Sequence, residues 1–235
     1  TESQWSEIDD QHIDEDGGEN TVDISLYITD AEQDIVQIAF QVIDNSDPGH
    51  LGAAFDGYNL LLIPLVLDFH TTEPTILVLQ VDDGFGGVVT QTVNVFIDPV
   101  NDAPVLTDIG NQETTEDVPL ILTLEATDVD EDSLIFNAVS EYSDNVAAEV
   151  IGNQLMLNPA EDWNGSVNIS VSVSDGELTD SEVFVLTVIP VNDTPTITLP
   201  ESFTFEEDGS LTEDFSGYLS DIDEDDLTLT VSGNE

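Results

Sequence analysis

The sequence predicts an all-β chain of tandem β-sandwich domains arranged as a rod. Three observations predict it. Apolar residues alternate with polar ones in short runs, the same acidic phrases return after one domain's length, and no stretch holds a helical period better than a strand period. Alternation of period two marks a strand with one buried face.

The elements follow in order. In residues 1–98, Leu77, Leu79 and Val81 alternate in one run and Val93, Val95 and Ile97 in the next. In residues 99–190 the same places are filled by Val167, Ile169, Val171 and Val173, with Asn168, Ser170 and Ser172 between them, and by Phe184, Leu186 and Val188. In residues 191–235, Leu227, Leu229 and Val231 alternate with Thr and predict a further strand. Repeated dipeptides set the domain length. Asn101-Asp102 returns as Asn192-Asp193, Asp83-Gly84 as Asp175-Gly176, and Asp128 as Asp221, with Asp30 as the earlier counterpart. The period is roughly 90–100 residues, the size of an immunoglobulin-like sandwich. Residues 191–235 then read as the N-terminal half of a third sandwich, completed by missing sequence or by a neighbouring subunit; alone, its open edges would promote aggregation.

Composition narrows function. The 235 residues include 52 Asp and Glu and no Lys or Arg, a formal charge of −52. With no basic patch to meet phosphate, nucleic-acid binding is excluded, and an anionic membrane surface is disfavoured. Hydrophobic residues make up 40% of the chain, enough to argue against disorder. Cysteine is absent, so there is no disulfide framework. No apolar run approaches the roughly 18 residues of a membrane span. The chain begins without Met and shows no signal peptide, so an export signal is expected outside it. Such charge demands bulk ions, bound metal or a basic partner.

Bound metal has the best-defined candidates. Ca²⁺ takes six to eight oxygen ligands from carboxylates, amides, backbone carbonyls and water. One set is Asn101 and Asp102 in the linker, Glu116 and Asp117 at the expected start of the first strand, and Asp128, Asp130 and Asp132. In an extended segment Asp128 and Asp130 would point to the same side about 6.6 Å apart. The second set is Asn192, Asp193, Glu207, Asp208, Asp221, Asp223 and Asp225. A degenerate first set is Glu15, Asp30, Glu32 and Asp34. Asp83 and Asp175, each before Gly, read first as turn formers and second as ligands. An EF-hand fails, because the positions that need Gly and Glu are Ser133 and Val139 counted from Asp128, and Asp226 and Ser232 counted from Asp221. Mg²⁺ suits the set less well. Zn²⁺ suits it least, with no Cys and with His12, His50 and His70 sharing no spacing.

The phrases V-N-D-A-P, T-E-D, D-x-D-x-D, P-x-x-x-W-x-G (Pro159, Trp163, Gly165) and V-S-D-G resemble the tandem cadherin-like, immunoglobulin-like repeats of large bacterial surface proteins and adhesins. The resemblance covers the second domain fully, the third as far as it extends, and the first less well. It implies extracellular or cell-surface placement, Ca²⁺ at domain boundaries, and adhesive or spacer roles. Expected partners are neighbouring repeats or identical subunits. The alternative is a module that recognises a glycan or host protein, for which residues 54–74, with Phe55, Tyr58 and Phe69, are the nearest thing to a recognition loop. Catalysis has no support: Lys, Arg and Cys are missing, there is no G-x-S-x-G elbow, and the acids recur as repeats.

Overall fold

The computed structural model describes residues 4–29, 38–84, 86–204, 206–230 and 232. The chain forms two compact units, Thr1–Asp102 and Ala103–Glu235. The alternating runs do become the core strands. In the first unit the strands are β1 (Gln4–Trp5), β2 (Gln11–Asp14), β3 (Asn20–Asp23), β4 (Ile28–Thr29), β5 (Ala39–Asn45), β6 (Leu51–Asp56), β7 (Asn59–Pro64), β8 (Thr75–Asp82) and β9 (Val88–Asp98). A four-stranded sheet of order β2-β9-β8-β5 faces a three-stranded sheet β3-β7-β6. The antiparallel pair β8 and β9 sets Leu77 against Val93, and Leu77, Leu79, Val81, Val93, Val95 and Ile97 all point inward and are buried. Leu60 and Leu62 of β7 meet them from the other sheet. Each such side chain contributes about 1.5–3 kcal/mol by leaving water.

The second unit repeats this plan with β10 (Val105–Leu106), β11 (Gln112–Thr115), β12 (Leu120–Thr123), β13 (Ala126–Thr127), β14 (Ile135–Ser140), β15 (Val146–Ile151), β16 (Gln154–Pro159), β17 (Gly165–Ser174) and β18 (Thr179–Ile189). Its sheets are β11-β18-β17-β14 and β12-β16-β15. Phe184 lies at the centre of the core with Ile169, Leu155, Leu157 and Leu186. Trp163 packs at the edge of this core, where Gly165 sits at φ +143 and any Cβ would approach the indole to 3.1 Å. In both units the edge strand that opens the sandwich runs parallel to the last one: β2 beside β9, and β11 beside β18. Among the described residues no helix is long and apolar enough to cross a membrane.

Beyond residue 190 the second unit continues with a two-residue pair, β19 (Thr196–Ile197) and β20 (Leu219–Ser220). The 3-10 turn Phe215–Tyr218 is capped by Asp214, as Ile24–Tyr27 is capped by Asp23 in the first unit. The strand predicted over Leu227, Leu229 and Val231 does not form at residues 227–230, and Val231 lies outside the described residues. The reason is pairing. In the preceding sandwich β14 is held by six partners on β17, and the described part of 191–232 offers no such neighbour. Leu229 is accordingly 42% exposed.

Candidate metal centres

Among the described residues each unit carries one deeply buried glutamate where its opening strand ends. Glu15 follows β2 and is 2% exposed; Glu116 follows β11 and is 3% exposed. Glu116 therefore lies at the end of a strand, not at its start, because the parallel ladder with β18 runs only to the Thr115–Ile189 pair. A buried carboxylate must be hydrogen-bonded or paired. The chain's exit segment supplies this: Val100 N donates to Glu15 Oε1 at 2.9 Å, and Val191 N donates to Glu116 Oε1. The second oxygen of each carboxylate faces a side chain two residues beyond an aspartate: His70 Nδ1 lies 3.4 Å from Glu15 Oε2, and Asn164 Nδ2 donates to Glu116 Oε2 at 3.4 Å.

Around these glutamates other acids converge. In the first unit carboxylate oxygens of Asp16, Asp68 and Asp102 lie within 4.8 Å of one another. In the second unit the same holds for Glu116, Asp193 and Asp223, and for Asp128, Asp130 and Asp132. Asp193 N donates to Asp223 Oδ2 at 2.6 Å. The phrase D-x-D-E-D is not extended as predicted. It bends, because Asp132 N donates back to Asp128 Oδ1 at 3.1 Å and Glu131 takes φ +60. The later copy bends the same way, with Asp223 N and Asp225 N both on Asp221 Oδ1 and Glu224 at φ +60. Asp128 Oδ2 is buried and accepts no hydrogen bond.

Three members of this arrangement are missing from the sequence-derived set: Asp16, which follows the buried Glu15, and the pair Asp68 and Asp162. Asp68 and Asp162 each precede an aromatic, Phe69 or Trp163, and each donates its backbone N–H to the carboxylate after the buried glutamate: Asp68 N to Asp16 Oδ1 at 3.5 Å, Asp162 N to Asp117 Oδ1 at 3.1 Å. Both sit in the left-handed region, at φ +56 and +55. Among the described residues every non-glycine with positive φ is acidic and lies in these phrases: Asp68, Asp117, Glu131, Asp162, Asp208 and Glu224. Each such conformation costs about 1 kcal/mol or more and collects at ligand sites. Partial burial, then the carboxylates of Asp117, Glu161, Glu116 and Asp223, hold Asp162 above the usual carboxylate range. Asp193 is raised too, by partial burial and then by Asp162, Asp223, Glu116 and Asp117. Like charges this close resist joint ionisation unless a cation enters. Asp162, Asp193 and Asp221 line a cleft of about 310 Å³ with Thr194, Thr196 and Ser220.

Other candidates stand apart. Asp83 accepts from Gly87 N at 2.9 Å, and Asp175 from Glu177 N and Leu178 N at 2.7 Å, so both tie their own turns. Glu207 and Asp208 are exposed and join none of these groups. The amides of Asn101 and Asn192 donate to the carbonyls of Asp102 and Asp193, at 3.2 and 2.7 Å. Asp30, Glu32 and Asp34 lie outside the described residues.

Paired sheets with acidic groups clustered beside the buried glutamates define a β-sandwich repeat. Residues 100–189 match the family model of the cadherin-like domain. The fold is similar to that of mouse cadherin-23 EC22-24, at 15% identity over 85% of this chain and 70% of that one, TM-score 0.53. It is also similar to human CDH23 EC21-23, at 12% identity over 85% and 73%, TM-score 0.51. The human desmocollin-1 ectodomain matches at 13% identity and TM-score 0.44 over 83% of this chain, which spans 43% of that ectodomain. No curated protein sequence matches.

Proposed function

We propose that the chain is an extracellular, non-enzymatic adhesive or structural repeat protein, made rigid by Ca²⁺ as a rod or filament of a cell-surface adhesin or matrix fibre. Its domains would be 1–98, 99–190 and 191–235, the last completed by further sequence or a neighbouring subunit. One observation carries the reading: Glu116, Asp193 and Asp223 come from three separate phrases and place carboxylate oxygens within 4.8 Å of one another. Oxygen-only donors in that number suit Ca²⁺ better than Mg²⁺. Without a cation these charges push the linker away from the sandwich. With one, linker and sandwich share ligands and move together. Ligands are Asp102, Asp16 and Asp68 with Glu15 in the first unit, and Glu116, Asp117, Asp162, Asp193, Asp221 and Asp223 in the second, with Asp128, Asp130 and Asp132 as a further group.

Calcium titration of the metal-free protein, followed by melting temperature and small-angle scattering, tests the reading. Calcium should raise the melting temperature and narrow the distribution of dimensions, and EDTA should reverse both. If neither responds, the reading is wrong. A second reading, recognition of a glycan or surface protein, draws on three consecutive exposed aliphatics, Leu65, Val66 and Leu67, in the loop after β7.

A further inference from the structure

Asn164 is exposed, yet its Nδ2 reaches to 3.4 Å from Oε2 of the buried Glu116. It is also the one asparagine of the chain that glycine follows. That dipeptide is chemically weak. Glycine has no Cβ to crowd its own amide nitrogen, so this nitrogen can attack the preceding carboxamide. Packing keeps the weak dipeptide in place. Gly165 takes φ +143, and a Cβ there would meet the Trp163 indole at 3.1 Å. Asn168, within β17, offers an internal contrast. It is exposed and donates to Glu141 Oε2 at 2.9 Å, but Ile169 follows it, and β-branching shields the nitrogen. The group that Asn164 faces is sensitive to added charge. Glu116 already lies within 4.8 Å of Asp193 and Asp223, and the chain holds no Lys or Arg to offset a further carboxylate.

We propose that Asn164 is a deamidation site, and that its conversion sets a new carboxylate beside Glu116 and raises the calcium demand of the second unit as the protein ages. Gly165 N forms a bond to Asn164 Cγ, and the Cγ–Nδ2 bond breaks. The glycine amide proton leaves with Nδ2 as ammonia. Water then opens the cyclic imide at either carbonyl and gives an aspartyl or an isoaspartyl residue, each with one new carboxylate. Water is the only co-reactant. The first unit has His70 facing its buried glutamate, and an imidazole cannot take this path. Without metal the new charge repels its neighbours; with calcium it adds to the ligand charge. The consequence for calcium rests on the calcium reading above, whereas the modification itself does not.

Peptide mapping by mass spectrometry tests the modification on the full wild-type chain, incubated at neutral pH and sampled over time. The mass gain of amide-to-acid exchange should appear at Asn164 first and outpace that at Asn168. In parallel, Asn164→Asp and Asn164→Gln are titrated with calcium and followed by melting. Asn164→Asp should melt below the wild type without metal and bind calcium on the order of tenfold more tightly, as added ligand charge does. Asn164→Gln should do neither. An Asn164 amide that survives after Asn168 has lost its own overturns the proposal. So does an Asn164→Asp variant with the calcium affinity of Asn164→Gln. The map needs no variant, so a substitution that fails to fold leaves the test standing. The failures also separate: a wild type indifferent to calcium sinks the calcium reading, and a wild-type calcium response that Asn164→Asp leaves unaltered sinks this inference alone.

Discussion

The two buried glutamates sit in matching surroundings that differ at a few side chains. Glu15 and Glu116 each follow the strand parallel to the last one and take a backbone N–H from the exit segment, and the aspartate after each accepts the N–H of an aspartate in the left-handed region. The turn after each is closed differently. Gly17 N reaches Asp14 O at 2.9 Å, as Gly209 N reaches Glu206 O, and a Cβ at either glycine would lie 2.8–2.9 Å from that carbonyl. Val118 occupies this place in the second unit, and its bond to Thr115 O stretches to 3.3 Å. A further difference is His70 against Asn164, an imidazole in place of a carboxamide facing the second oxygen of the glutamate. The comparison teaches that backbone devices build the cluster and that single side chains then set its chemistry.

Breaking either core should have the largest effect. Phe184→Ala should cost about 3–5 kcal/mol and Leu77→Ala about 2–5 kcal/mol, each seen in urea denaturation as an earlier transition of its own unit. Calcium removal comes next. At free Ca²⁺ of 100 times the dissociation constant, chelation should cost about 2.7 kcal/mol per site. Asp162→Asn should blunt the calcium-dependent melting shift of the second unit and spare the first; equal loss in both would break the comparison.

The pH response sharpens it further. The folded-state pKa of Asp162 and Asp193 lies above the ordinary 3.8, so the metal-free fold holds those protons more tightly than the unfolded chain. Their contribution is fully present below that ordinary value and is lost as pH rises through the raised one. Melting of the calcium-free protein in the acid range should therefore fall as pH increases, less steeply in Asp162→Asn, and added Ca²⁺ should flatten the curve. The smallest effect concerns the ends of β5 and β14. Asn45 donates to Leu51 O at 2.8 Å and accepts from Asp47 N at 2.9 Å, whereas Ser140 Oγ is buried with no hydrogen-bond partner. Asn45→Ala should cost about 1–3 kcal/mol and Ser140→Ala should be near neutral in chemical denaturation.

The long strands were legible because alternation is a local signal. Every inward residue named in β8, β9, β17 and β18 is buried where the pattern put it. Alternation failed at Leu227 and Leu229, since a strand exists only through its ladder and none of the described strands pairs with them. The acid phrases were legible as repeats, but their shape was not. Glu131 and Glu224 turn the chain with positive φ, a conformation in which glutamate, unlike aspartate, is not enriched. Asp68 and Asp162 escaped notice because their only mark is the following aromatic, and the preceding prolines, Pro64 and Pro159, stand at unequal distances from them.

The parallel pairing of opening and closing strands has a mechanical consequence. A force drawing apart the two ends of the second sandwich pulls β11 and β18 in opposite directions along their shared ladder, from Gln112–Leu186 to Thr115–Ile189. The bonds of that ladder are then sheared together, not unzipped one after another. Tension therefore meets its resistance at the very strand whose last residue leads into Glu116, and an ion held there would stiffen the tether at the point of load.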